Sequence, residues 1–120
     1  MKTYKDLFVW QKSIELVVEI YRLTESFPQE EKFGLVSQMR RCSVSMPSNI
    51  AEGYGRKSVK ENAHFVNISF ASGLELETQI IISKKLNILS IDQWDKADKL
   101  LDEVLRMSYR YRESLYATIG

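Results

Sequence analysis

The stretch SIDQWDKADKLLDEVLRMSYRYRESL, residues 90–115, decides the fold. Ser90 is followed three residues later by Gln93, which is the spacing of a capping box at the start of a helix. Apolar and small residues then recur at alternating steps of three and four, as on one buried helix face. Such a seam favours packing at about 20° in a left-handed bundle. The seam residues are Trp94, Ala97, Leu101, Val104, Ser108, Tyr111 and Leu115.

Three further helices are predicted ahead of this one, over about residues 6–25, 30–54 and 58–86. The third begins at a second capping-box spacing, Ser58 to Glu61. We expect a kink at Pro47 in the second, because proline removes a backbone hydrogen bond and clashes with the preceding turn. The seam of the first helix is read as Leu7, Trp10, Ile14, Val17, Tyr21 and Thr24, and that of the second as Leu35, Met39, Cys42, Met46, Ile50 and Gly53.

Turn signals are scarce, since the 120 residues include two prolines and five glycines. A β-sandwich of this length would need many more. The predicted fold is therefore an all-α, antiparallel up-down four-helix bundle that forms one domain over residues 1–120.

The overall charge is nearly neutral, with a formal net charge of +1 at pH 7. Residues 1–60 carry ten Lys/Arg and seven Asp/Glu, and residues 61–120 carry seven and nine. This balance excludes a strongly basic nucleic-acid-binding chain and permits local patches. The lone cysteine, Cys42, the lack of an apolar leader and the lack of a long apolar run predict a cytoplasmic protein without a membrane span.

Polar residues interrupt the apolar pattern in the second and third helices. If their turn centres near Lys57 and Ser58, antiparallel packing places residues whose numbers sum to about 116 side by side. This register predicts a partly buried polar network that fixes the pairing of the two helices. Two alternatives are a ligand or nucleic-acid site and plain surface ion pairs. The network residues are Arg40, Arg41, Asn49, Glu52, Glu75 and Glu77.

The third helix is apolar on nearly every side, from Phe65 to Ile82. Each helix of a monomeric four-helix bundle should keep one polar, solvent-exposed face. The simplest cover for the additional apolar surface is a second copy of the chain, which predicts a homo-oligomer. The alternative is a helix that is well buried within a monomer.

Candidates for chemistry are few. His64 is the one histidine, Cys42 lies on an apolar seam, and Glu61 with His64 forms a single Glu-x-x-His where a di-iron bundle needs two. The chain has no cysteine and histidine cluster for zinc and no glycine-rich phosphate loop. We therefore expect no enzyme activity, no metal and no cofactor.

Basic residues cluster at two places. The first is the predicted turn between the second and third helices, and the second is interleaved with tyrosines near the C-terminus. Arginine binds phosphate and aromatic rings stack on bases, so both are candidate nucleic-acid contacts, although a solvated helix face would look the same. The residues are Arg56, Lys57 and Lys60, then Arg106, Arg110 and Arg112.

Several segments resemble the four-helix-bundle proteins encoded by intervening sequences of bacterial 23S ribosomal RNA genes, also labelled S23 ribosomal proteins. The segments are DLFVWQK at 6–12, FGL at 33–35, QMRRCSVSMPSNIAEG at 38–53, GR at 55–56 and ELETQ at 75–79. The resemblance implies a four-helix bundle that assembles as a homopentamer, and it brings no catalytic residues. The family is also similar to the accessory variability protein of diversity-generating retroelements, a strongly basic pentamer that binds nucleic acid and a reverse transcriptase.

Composition, pattern and resemblance together predict a non-enzymatic, homo-oligomeric scaffold or adaptor with weak binding of RNA or DNA. Binding should involve the two basic clusters, each repeated around the oligomer. The alternative is a module that binds a protein partner and has no affinity for nucleic acid.

Overall fold

A computed structural model describes residues 3–119 as a bundle of four long helices. They are α1 (Phe8–Thr24), α2 (Ser37–Tyr54), α3 (Val59–Lys85) and α4 (Asp95–Ile119). The molecule measures 46 × 24 × 23 Å, as expected for helices laid side by side. Within the described part of the chain, none of these helices combines the length and the apolar character needed to cross a membrane.

Each helix packs against its neighbours in sequence, and α4 closes the bundle against α1. Side-chain contacts show that neighbouring helices run antiparallel, because residue numbers rise in one helix as they fall in the next. The contacts are Thr24 with Arg40, Met39 with Ser83, Ser45 with Ser72, Asn62 with Tyr111, Lys84 with Asp98, and Lys12 with Glu103. The predicted all-α four-helix bundle is confirmed.

One apolar core runs through the bundle. Its end near the α3–α4 connection is closed by Trp94, whose indole N–H donates to the carbonyl of Ile88 at 3.2 Å and whose ring meets the edge of Phe27. Burying a side chain of this size contributes about 2–3 kcal/mol. The largest apolar side chains among those fully buried are Leu16, Ile20, Leu23, Met39, Met46, Ile50, Val66, Leu76, Ile80, Trp94 and Val104.

Of the three predicted apolar seams, those of α2 and α4 agree with the structure and that of α1 does not. The seams of α2 and α4 lie in the core, with Met39, Met46, Trp94 and Val104 fully buried. The seam predicted for α1 is wrong, since its core face is the neighbouring one. That face consists of Val9, Ser13, Leu16, Ile20 and Leu23.

Of the seam predicted for α1, Thr24 is buried, and the other members are half-buried or exposed at the rim. Ile14 and Tyr21 are 37% and 42% exposed, and Trp10 and Val17 line a surface groove against α2. Helix α1 carries apolar residues on two adjacent faces. A three-four spacing therefore exists on both faces, and the spacing does not choose between them.

The second helix begins later than predicted. Gln29–Glu31 form a 3-10 turn and Lys32–Val36 a π-turn, in which Gly34 leaves helical geometry with φ −105° and ψ −107°. A glycine within a helix costs about 1 kcal/mol relative to alanine, which favours a break there. Helix α2 continues as one element from Ser37 to Tyr54 with Pro47 inside it, and the kink expected at Pro47 stays a prediction.

The predicted capping box is complete at Ser90, whereas at Ser58 only the serine half of the box is observed. The hydroxyl of Ser58 accepts a hydrogen bond from the backbone N–H of Glu61 at 3.1 Å, directly before α3. The backbone N–H of Ser90 donates to the side-chain oxygen of Gln93 at 2.9 Å. This second cap starts a 3-10 turn, Ile91–Trp94, that leads into α4.

Helix α3 exposes large apolar side chains along its second half. Leu74 is 44% exposed, Ile81 49%, Ile82 43% and Leu86 58%. The opposite side of the helix supplies Val66, Leu76 and Ile80 to the core. The apolar surface predicted for this helix is therefore present on the outside of the bundle as well as within it.

Candidate nucleic-acid interface

The turn between α2 and α3 carries the first basic cluster. The guanidinium of Arg56 donates to the carboxylate of Glu52 at 2.8 Å and lies 4.6 Å from the ring centre of Phe65. Lys57 and Lys60 are exposed and, within residues 3–119, form no ion pair. The turn therefore presents two unneutralised ammonium groups beside one arginine that already has a partner.

The second cluster follows the last half of α4. Arg106 donates to Asp102 at 2.5 Å, one turn earlier on the same helix. Arg110 is exposed and has no ion-pair partner among the described residues. An exposed pair such as Arg106 with Asp102 contributes about 0.3–0.5 kcal/mol, so a phosphate competes with it easily.

Arg112 differs from its neighbours, because its side chain is only 17% exposed. Its guanidinium donates to the side-chain oxygen of Asn67 at 2.9 Å and also meets the carboxylate of Glu113 at 3.3 Å. It stacks over Phe70 and Tyr109, at 4.7 Å and 5.2 Å from their ring centres. These contacts tie the end of α4 to α3, and they give Arg112 a structural role within the chain.

The first cluster and the end of the second, near Arg110 and Arg112, lie towards the same end of the bundle. Arg106 lies closer to the middle, because its neighbour Leu105 packs against Gly73. Helix α3 begins directly after the turn and runs antiparallel to α4, so its first turns lie beside the last turns of α4. The amide of Asn62 donates to the phenolic oxygen of Tyr111 at 3.1 Å and marks this level. Sequence alone could not show that basic groups about 50 residues apart share one end of the molecule.

A shallow groove of about 410 Å³ opens between α3 and α4 near this end. The ring of Tyr109, 48% exposed, forms part of its wall and is tilted at 55° to the ring of Phe70, with 6.1 Å between ring centres. Arginines 106 and 110 complete the lining, so a largely apolar surface is edged by cations. The lining residues are Phe70, Leu105, Arg106, Tyr109 and Arg110.

The predicted polar network between α2 and α3 is organised differently. Arg40 turns towards α1, where it donates to the hydroxyl of Thr24 at 2.9 Å and to the carboxylate of Glu25 at 3.2 Å. Its guanidinium also lies 4.5 Å from the ring centre of Tyr21. These contacts correct the predicted pairing of Arg40 with Glu75 or Glu77, because a long side chain at the helix edge reaches either neighbour.

Asn49 and Glu52 find partners close by in sequence, whereas Glu75 lies near the thiol of Cys42 on α2. The amide of Asn49 donates to the carbonyl of Ser45 at 2.8 Å, and Glu52 accepts from Arg56. Arg41, Glu75 and Glu77 are exposed and form no ion pair among the described residues. Within residues 3–119 no ion pair joins α2 to α3.

Small polar residues, which the sequence reading missed, join α2 to α3 instead. The hydroxyls of Ser45 and Ser72 lie 2.8 Å apart, and buried Ser69 donates to the carbonyl of Met46 at 2.9 Å. Both contacts satisfy hydroxyl groups that packing removes from solvent, and they join the two helices at neighbouring levels. The signal that could have found them is serine at a buried spacing opposite a proline-containing helix.

The remaining candidates for catalysis are the lone histidine and the lone cysteine. His64 is exposed, and Cys42 is buried beside Gln79, whose amide lies 3.5 Å from the sulfur. Burial, with the carboxylate of Glu75 nearby, raises the pKa of the Cys42 thiol to about 11, which is the opposite of nucleophile activation. Among the described residues, no three His, Cys, Asp or Glu side chains form a group that could hold a metal ion.

A comparison with protein families matches residues 5–110 to the model described as 23S rRNA-intervening sequence protein. The chain belongs to this family. The match covers all of α1, α2 and α3 and most of α4, so the region shared with the 23S rRNA-intervening sequence protein family takes in all four helices. A search of curated proteins found no match.

Proposed function

We propose that this member of the 23S rRNA-intervening sequence protein family is a non-enzymatic, homo-oligomeric scaffold that binds nucleic acid weakly. The observation that carries the proposal is the exposed apolar surface on the second half of α3. Leu74, Ile81, Ile82 and Leu86 are each between 43% and 58% exposed in the single chain. Leu74 and Ile81, seven residues apart, share one face of the helix, and large apolar side chains exposed together are a candidate interaction surface.

The α3 surface extends beyond the helix. Ile81 lines a groove of about 430 Å³ together with Ile91, which lies in the α3–α4 connection and is 67% exposed, and polar side chains complete the lining: Lys84, Lys85 and Asn87. A second copy of the chain is the simplest cover, since most soluble oligomers are homo-oligomers. We propose a closed ring, and a pentamer is the state that the family resemblance favours.

Nucleic-acid binding is proposed at the basic end of the bundle. Lys57, Lys60 and Arg110 are exposed there without an ion-pair partner among the described residues, while Arg56 and Arg106 hold only exposed partners. Three such cations on one chain give weak binding. A ring repeats them, and linked weak sites gain about 10²–10⁴ in apparent affinity.

The second candidate is a protein-binding module without affinity for nucleic acid. It is favoured by Phe33, which is 88% exposed in the connection between α1 and α2, and by Phe8, which is 75% exposed at the start of α1. Both are far more exposed than a large aromatic side chain usually is. This candidate predicts that a partner protein binds through these apolar rings, so its affinity should depend little on salt.

Solution mass tests the oligomer. We expect sedimentation velocity at micromolar concentration to show a multiple of the 14.0 kDa chain, and Ile81→Glu to dissociate it. Val18→Glu is the matched control, because Val18 is 64% exposed on α1, away from the α3 surface. A wild-type monomer, or equal dissociation by both variants, would refute the proposed assembly.

Salt dependence tests the nucleic-acid part. If three cations on each chain contact phosphates of a single strand, the plot of log K against log salt should have a slope of about −2 for each chain bound. Lys57→Ala with Lys60→Ala should make the slope shallower by about 1.4. No binding at low salt would favour the protein-binding candidate, and strand binding with a flat salt dependence would refute the proposed phosphate contacts.

A further inference from the structure

The groove between α3 and α4 has a construction that the charge of the basic end does not explain. Its lining includes two aromatic rings, from Phe70 and Tyr109, and one aliphatic side chain, from Leu105. Arg106 and Arg110 stand at its edge, and no carboxylate lines it. A phosphate site alone needs no aromatic floor, whereas a site for a base and its phosphate needs both.

We propose that this groove binds an unpaired nucleotide of a single-stranded nucleic acid, with the base on Tyr109 and the phosphate on Arg110. The proposal rests on the proposed function, because it specifies which form of nucleic acid is bound. Base stacking on an aromatic ring tolerates any sequence, since every base has a flat π-face. It requires the base to leave a duplex stack, so paired strands do not satisfy the groove.

Tyr109 is suited to this role because its ring is held in place. Arg112 lies 5.2 Å from the ring centre and is not part of the groove lining, so the guanidinium supports the ring away from the groove. The edge of the groove is fixed by Phe70, on which Arg112 also stacks. A preordered ring loses little conformational freedom when a base stacks on it.

Charge selects the orientation of the nucleotide. Arg110 has no ion-pair partner among the described residues and is free to meet a phosphate, while Arg106 must first give up Asp102. The groove volume of about 410 Å³ is in the range of small-ligand sites, about 300–1,000 Å³. The groove therefore offers room for one base on Tyr109, with the rest of the strand outside it in contact with the cations.

Fluorescence anisotropy with a labelled single-stranded oligouridine and with a duplex of equal length tests the proposal at low salt. Tyr109→Ala should weaken single-strand binding by about 5-fold to 140-fold, and Tyr109→Phe should keep it within about twofold. Duplex binding should be the same for wild type and both variants. Phe33→Ala is the matched control, because it removes an exposed aromatic ring at the opposite end of the bundle.

The outcomes separate this inference from the function on which it rests. Single-strand binding that survives Tyr109→Ala unchanged overturns the groove and leaves the basic end as the site. Absence of any nucleic-acid binding overturns both, while a loss of oligomeric mass in Tyr109→Ala assigns the groove to a second copy and also overturns the inference. Should Tyr109→Ala unfold, photo-crosslinking of a bromouridine strand to wild-type protein decides the question: crosslinks within residues 105–110 support the groove, and crosslinks elsewhere refute it.

Discussion

Replacing Arg112 by alanine should destabilise the protein by about 2 kcal/mol, although this arginine lies among residues that look like a nucleic-acid site. The lost hydrogen bond to Asn67, 2.9 Å long and made by a charged donor, contributes about 1.5 kcal/mol. Lost stacking on Phe70 adds about 0.5–1 kcal/mol. Unfolding entropy scales with length to about 0.25 kcal/mol/K for this chain, so the melting temperature should fall by about 8 °C.

Arg110→Ala is the control that makes this prediction sharp. Arg110 is on the same helix and exposed, and it has no ion-pair partner among the described residues, so its loss should change the melting temperature by less than about 2 °C. Thermal unfolding followed by circular dichroism at 222 nm gives both values. Equal melting temperatures for the two variants would refute the structural role of Arg112. The same pair should behave in reverse in a single-strand binding assay, with Arg110→Ala the weaker binder.

Three further predictions concern the fold. Gly53→Ala places a Cβ atom 3.0 Å from a backbone oxygen of α3 and should lower the free energy of unfolding in urea by about 1 kcal/mol. Gly55→Ala is its control and should not lower it, because the added Cβ meets nothing closer than 3.6 Å. The hydrogen bond from Arg22 lowers the pKa of Glu19 below its ordinary value of 4.5, so this carboxylate stabilises the fold above that pH and the contribution is lost as pH falls through the lowered pKa. The melting-temperature difference between wild type and Glu19→Gln should therefore shrink between pH 6 and pH 3. Buried Cys42, with its pKa raised to about 11, should react with a thiol reagent at pH 8 only as fast as the native state opens.

The helices could be predicted because their signals are local. The seam of α4 and the caps at Ser58 and Ser90 depend on residues three or four apart, which any helix places together. The face of α1 could not be chosen, because Leu16 and Val17 each belong to a three-four series and only packing against the other helices decides between them. The break at Gly34 was missed because the charged residues around it are also good helix formers.

The candidate site was harder to predict because its partners are distant in sequence. The spacing identified the basic clusters, yet it could not show that Arg112 is occupied by Asn67, 45 residues away, while Arg110 is free. An antiparallel register places residues at the same level to within about one turn. A long arginine or glutamate side chain can reach past that uncertainty, as Arg40 does towards α1.

The proposed assembly surface and the proposed strand-binding groove lie on different lengths of α3, so one variant can test the two parts of the proposed function separately. The apolar surface begins at Leu74 and continues to Leu86, whereas the groove meets α3 at Phe70, nearer the basic end. A charge at Ile81 should therefore dissociate the oligomer while leaving each groove intact. The affinity for a strand that spans one groove should then stay constant. The affinity for a strand long enough to reach several grooves should fall towards the single-site value, because sites that are no longer linked lose their effective concentration. A parallel loss for short and long strands would mean that the groove itself is completed by the neighbouring copy.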